Sequence, residues 1–119
     1  MMNLLHPTQL EQVNEPDIRR LLELRYQQLG TLEGLIIVGP GDSMTYLEEA
    51  MGFTFLLWDD DPDSVSFEFI EDHGHCYEMA FIFSDDGNAT VLFIPKQDGI
   101  DAELLSLCVT HAIPAATSI

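Results

Sequence analysis

Val65-Ser66-Phe67-Glu68-Phe69-Ile70-Glu71, Cys76-Tyr77-Glu78-Met79-Ala80-Phe81-Ile82-Phe83 and Ala89-Thr90-Val91-Leu92-Phe93-Ile94 decide the fold. The first run alternates apolar and polar residues with period two, the signature of a strand with one buried face. The second and third flank Ser84-Asp85-Asp86-Gly87-Asn88, a loop rich in residues that tolerate tight turns. Asp72-His73-Gly74 supplies the turn between the first two, and Pro95 ends the third. This stretch predicts consecutive antiparallel strands.

Working outward, Phe53–Trp58 reads as a further strand ahead of an acidic turn, Asp59-Asp60-Asp61-Pro62-Asp63. Gly34–Val38 reads as a buried strand that Gly39-Pro40-Gly41 turns away. Three segments carry helical signals. Asn14 is a candidate cap for the first, with Pro16 in the first turn and Glu15 and Asp17 at the positive end of the dipole. Ile18, Leu21, Leu22, Leu24 and Leu29 follow at near-helical spacing, and Gly30 is a stop signal. Asp42 or Ser43 can cap a short helix running to about Met51, with Thr45 to Glu48 as an alternative capping box and Gly52 as its end. Asp101 caps the last helix, Ile100 staples onto Leu105, and Leu104, Leu105, Cys108 and Ala112 form an apolar face before Pro114.

The expectation is an α+β single domain over residues 1–119. It has a mainly antiparallel sheet of about four to five strands, with about three helices packed on one face. Residues 1–13 read as an N-terminal arm and 115–119 as a frayed tail. A chain of this length can bury a core without staples. Apolar residues make up 46%, which sets it apart from a disordered acidic tail.

Charge is the other informative feature. The chain carries 21 acids against 4 bases, a formal charge of −17, where soluble domains more usually carry about 2 to 8 units. No Lys or Arg occurs between Arg25 and Lys96, while Tyr26 to Pro95 holds fourteen carboxylates. Naked nucleic acid and anionic lipid are polyanions, so neither is an expected partner. Arg19, Arg20 and Arg25 share the first helix, placed to pair with acids of the same chain or of a second copy. Cys76 and Cys108 read as free thiols, the N-terminus has no basic n-region or long apolar stretch, and the expected location is cytoplasmic.

Several motifs suggest chemistry, and each has a plainer structural reading. Glu71-Asp72-His73-Gly74-His75-Cys76 offers carboxylates, imidazoles and a thiol. Glu71, His73 and His75 are its candidate metal ligands. Strand alternation sends Cys76 away from His75, and no second pair of ligands follows. The plain reading is a turn leading into a core cysteine. Asp59, Asp61 and Asp63 match the first three ligand positions of an EF-hand, but Ser64 replaces the required glycine and Ile70 the closing glutamate. Gly39-Pro40-Gly41 with Asp59 twenty residues on echoes a dinucleotide fingerprint, but Met44 occupies the third glycine position. Cys76 in an acidic setting is poorly activated as a nucleophile. No catalytic residue and no cofactor is expected.

Gly39-Pro40-Gly41-Asp42-Ser43, Leu47 through Phe53, Ile70 through Gly74, Phe83 through Gly87 and Ile100 through Cys108, taken together, resemble a group of small acidic bacterial proteins associated with plasmids and integrative elements. The resemblance spans about residues 30 to 112 and brings no activity or site residue with it. It implies a bacterial cytoplasm and an accessory role in a mobile element.

The expected function is therefore a small non-enzymatic binding protein that engages a basic protein through a carboxylate-rich surface. That partner is a DNA-binding protein blocked by DNA mimicry, or a toxin neutralised by an immunity-like protein. Asp59, Asp60, Asp61, Asp63, Glu71, Asp72, Asp85 and Asp86 would carry the charge, with Trp58 or Tyr77 as aromatic anchor. The alternatives are a metal-binding protein or metal-dependent enzyme using His73, His75 and nearby carboxylates, and a self-associating structural factor, as a homodimer.

Overall fold

A computed structural model describes residues 2–4, 7–51, 65–83 and 89–114. The expected strand over 53–58, the acidic turn 59–63, the hairpin loop 84–88 and the tail 115–119 lie outside them. The described elements are β1 (Met2–Leu4), a 3-10 helix (Pro7–Gln12), α1 (Pro16–Leu29), β2 (Leu35–Ile37), α2 (Met44–Met51), β3 (Val65–Asp72), β4 (Cys76–Phe83), β5 (Ala89–Pro95), α3 (Ala102–His111) and β6 (Ile113–Pro114). The result is a single α+β unit.

Six strands form one sheet in the order β1-β2-β5-β4-β3-β6. The β3-β4-β5 meander is antiparallel, as the alternation predicts, and β1 is antiparallel to β2. Two short ladders are parallel, β2 with β5 and β3 with β6, so the sheet is mixed. The two strands missing from the sequence reading, β1 and β6, are three and two residues long. Met2–Leu4 of the expected arm and Ile113–Pro114 at the expected helix stop are too short to show a period.

The helices do not share one face; they divide between two. Even and odd positions of β4 serve different cores, because successive side chains point to opposite sides of a strand. Cys76 and Ala80 pack with Ile18 and Leu22 of α1 and with Leu35, Val91 and Phe93. Tyr77, Met79 and Phe81 pack on the other side with Met44 and Leu47 of α2 and Leu104, Leu107 and Cys108 of α3. Both faces of β4 and β5 are thereby buried. This explains why Val91–Ile94 is an unbroken apolar run.

Local signals mostly act as expected. Gly30 closes α1 with φ +76 and donates its N–H to the Tyr26 carbonyl. The N-cap is Glu15 rather than Asn14, and no side chain caps there; Pro16, the first helical residue, fits the dihedral that position needs. Ser43 Oγ accepts from the Tyr46 N–H at the start of α2. Asp101 does more than sequence suggests. Its Oδ1 accepts from Glu103 N at the start of α3, and its Oδ2 from Met44 N at the start of α2. One carboxylate thus joins the two helices of that face.

The same junction accounts for the Gly-Pro-Gly turn. Gly39 N–H donates to Asp42 Oδ2 and Gly41 N–H to the Gly99 carbonyl. Pro40 lies so close to Gly99, itself at φ +91, that a Cβ there would come within 2.9 Å of the proline ring. These two amides are already bonded within the chain, so the loop is a structural brace and not a phosphate cradle.

Asp101→Ala should cost about 1–2 kcal/mol, as loss of a helix cap with a buried contact does, and Asp101→Asn less. Urea denaturation checks this. A midpoint for the alanine variant equal to that of the parent would show that the bridge contributes nothing.

Candidate functional site

The β3–β4 turn carries two ionic clusters, one on each side of the sheet. They arise from register. Glu71 pairs with Glu78 and Asp72 with Tyr77 across the hairpin. Glu71 and Glu78 therefore face α1, while Asp72 and Tyr77 face the α2–α3 side.

On the α1 side, Glu78 is the charge that needs explaining. It is 1% exposed, between Cys76 and Ala80 on an otherwise apolar face. Arg25 reaches it from the middle of α1. Nε donates to Oε2 and NH2 to Oε1, both at 2.7 Å, a bidentate fork. His73 Nε2 lies 2.8 Å from the same Oε1 and 3.7 Å from Glu71 Oε2. An ionised carboxylate only accepts, so the Nε2–H of His73 donates to Glu78. Burial pushes the Glu78 carboxyl up, but the hydrogen bonds from Arg25 and then His73 outweigh it and hold it below the usual carboxylate range. The hydrogen bond to Glu78, reinforced by the charges of Glu78 and Glu71, raises Arg25 further above its ordinary value against the opposing effect of burial.

On the opposite side, Lys96 Nζ donates to Asp72 Oδ1 at 2.6 Å and stands 4.6 Å above the Tyr77 ring. The Asp72 carboxyl is lowered first by this bond and then by the Gly74 N–H that shapes the turn.

The sequence-predicted site residues are thus divided. Glu71 and His73 do come together, and the third member of their group is Glu78, not His75. The His75 ring stacks near His73, with centroids 6.4 Å apart. Tyr77 is 7% exposed beneath Lys96 and belongs to the core on the α2–α3 side. Asp72 is engaged by Lys96. Asp59, Asp60, Asp61, Asp63, Asp85, Asp86 and Trp58 lie outside the described residues. Glu78 was legible in principle, being the lone acid in an eight-residue strand with apolar neighbours at every position.

Each of the four bases has an acceptor within the chain. Arg19 donates to the Val13 and Glu11 carbonyls, closing the 3-10 helix onto α1. Arg20 lies 3.7 Å from Asp17, and Arg25 and Lys96 are held as above. Neither thiol is poised for chemistry. Cys76 and Cys108 are buried in opposite cores, and burial pushes each up to about 12, with Glu78 adding to the rise at Cys76. Among the described residues no helix is long and apolar enough to cross a membrane.

Arg25→Met strands a buried carboxylate and should cost about 3–5 kcal/mol. Arg25→Met with Glu78→Gln should recover much of that, because the uncompensated charge goes too. Denaturant midpoints of the two singles and the double form the test; strict additivity would refute the pairing. The pH sign follows from the lowered Glu78 carboxyl. Its contribution is full above the ordinary carboxylate pKa of about 4.3 and is lost as pH falls through the lower folded value. The midpoint should therefore drop less steeply on acidification in Glu78→Gln than in the parent.

No protein-family model matches this chain, and no curated protein or solved structure is significantly similar to it, so its function has to be argued from the geometry itself.

Proposed function

We propose that the protein is a non-enzymatic binding protein whose acidic surface engages a basic protein partner. The observation that carries this is the disposition of its few cations. Arg19, Arg25 and Lys96 hydrogen-bond to acceptors of the same chain and Arg20 lies exposed 3.7 Å from Asp17, against 21 acids, so the field at the surface is left largely uncompensated. Such a field steers a basic partner and repels polyanions.

Register supports a location. Val65 and Phe83 face each other at one end of the β3–β4 ladder. In the chain, Asp59, Asp60, Asp61 and Asp63 precede Val65, and Asp85 and Asp86 follow Phe83. Glu71 and Asp72 stand at the other end of β3, about 23 Å away by strand rise, and serve the ionic clusters of the turn. The partner-binding set is accordingly the first six, with Trp58 as the remaining aromatic candidate. A basic DNA-binding protein held by DNA mimicry and a basic toxin held by an immunity-like protein are the two forms this reading takes in a bacterial mobile element.

The protein and a variant carrying Asp59→Asn, Asp60→Asn, Asp61→Asn and Asp63→Asn are to be compared by affinity capture from host lysate at low salt. The expected result is one basic protein bound near stoichiometrically by the parent, released by salt, and lost from the variant. With the captured partner, the variant should show mainly a slower on-rate at unchanged thermal stability. Capture of a diffuse mixture, or equal capture by both chains, would overturn the reading.

A further inference from the structure

Three potential metal ligands, Glu71, His73 and Glu78, converge at the β3–β4 turn. Arg25 and His73 both hold Glu78, and the His73 ring, 6% exposed, also stands 3.7 Å from Glu71. Next to it, the Nδ1 of His75 is buried with no hydrogen-bond partner among the described residues. One fully buried carboxylate, a second that is partly buried, two neighbouring imidazoles and an orphaned ring nitrogen thus meet at this turn.

We propose that His73 Nε2, Glu78 Oε1 and Glu71 Oε2 form a divalent-cation site. The donor set is one imidazole and two carboxylates, which suits zinc, manganese or ferrous iron better than calcium or magnesium, whose ligands are oxygens. Distances fit. The Nε2–Oε1 and Nε2–Oε2 separations are 2.8 and 3.7 Å, and the three atoms all lie within 4.8 Å of one another. Two ligands bound at about 2.05 Å with a tetrahedral angle stand about 3.3 Å apart. A metal therefore enters where the His73 proton now lies. The Nε2–Oε1 gap opens by about half an ångström, the Nε2–Oε2 gap closes by a similar amount, and His73 binds as the neutral Nδ1–H tautomer, the proton lost from Nε2 being matched by one held at Nδ1.

Arg25 does not need to leave. Each carboxylate oxygen has two lone pairs, and at Oε1 the metal replaces His73, not the guanidinium. Arg25 then orients Glu78 from behind, as groups around metal ligands commonly do. Three protein ligands leave a further coordination position for water or a ligand.

The test titrates the full-length, untagged protein with Zn²⁺ by calorimetry, with Ca²⁺ in parallel. Nitrogen-15 spectra of the imidazoles, assigned through His73→Gln, report the site directly. The expected result is one equivalent of Zn²⁺, at least tenfold weaker for Ca²⁺, with the His73 Nε2 resonance shifting on binding. His73→Gln, whose amide still donates to Glu78, should fold and lose the site, and Glu71→Gln should weaken it about 10- to 100-fold. The four-Asn variant at positions 59, 60, 61 and 63 should bind as the parent does. Absence of saturable binding, several weak equivalents only, or binding unchanged in folded His73→Gln would overturn the proposal.

Discussion

The bidentate contact between Arg25 and Glu78 is the constraint on which the α1 face depends. Burial makes an unpaired carboxylate very costly, and the sheet offers Glu78 no backbone donor on that face. A guanidinium must therefore arrive from α1, with its rigid fork in register with strand β4. That requirement fixes the rotation of α1 about its axis, placing Ile18 and Leu22 in the core and leaving Leu24 and Leu29 exposed. Apolar packing alone would permit neighbouring rotations, since the helix has leucines on more than one side. A buried ion pair of this kind contributes little net stability relative to an apolar replacement, but it selects one docking among several.

Scarcity of cations gives each one a specific structural use. Arg19 caps the carbonyls where the 3-10 helix meets α1, Arg25 joins α1 to the sheet, and Lys96 ties the end of β5 to the β3–β4 turn while covering Tyr77. These three lie where the chain must be held against its own repulsion. With −17 distributed over 119 residues, a base at a random surface position would relieve local repulsion without joining elements.

Legibility in the sequence follows the same division between local and long-range causes. The β3-β4-β5 meander and all three helices were readable because their periods and punctuation are local: alternation in Val65–Glu71, Gly30 after Leu29, Asp101 before Ala102. The division of helices between two faces was not. It depends on Cys76 and Tyr77 serving opposite cores, and unbroken apolar strands such as Val91–Ile94 have no period to reveal it. The parallel β2–β5 pairing joins residues more than fifty positions apart, and β1 and β6 are too short to carry a pattern. At the turn, Glu71 and His73 were legible as a potential cluster through their spacing. Glu78 entered only through register, and Arg25 only through helix docking. His75, adjacent in sequence, stands outside because the turn at Gly74 takes φ +88 and alternation does not hold there.

The two ends of the β3–β4 hairpin are electrostatically separate. They are separated by about seven strand residues, roughly 23 Å, whereas exposed charges are screened over about 8 Å at physiological salt. A change of charge at the turn thus has little electrostatic effect at Val65 and Phe83, the other end of the ladder. Mechanical coupling is limited as well, because the turn is locked on one side by Arg25 and on the other by Lys96. The turn is the end of the hairpin that the cations hold. This follows from placing three of the four bases on or near the structural core and none between Arg25 and Lys96. The scarce cations thereby sit at the joints between elements, where repulsion among the acids would otherwise part them.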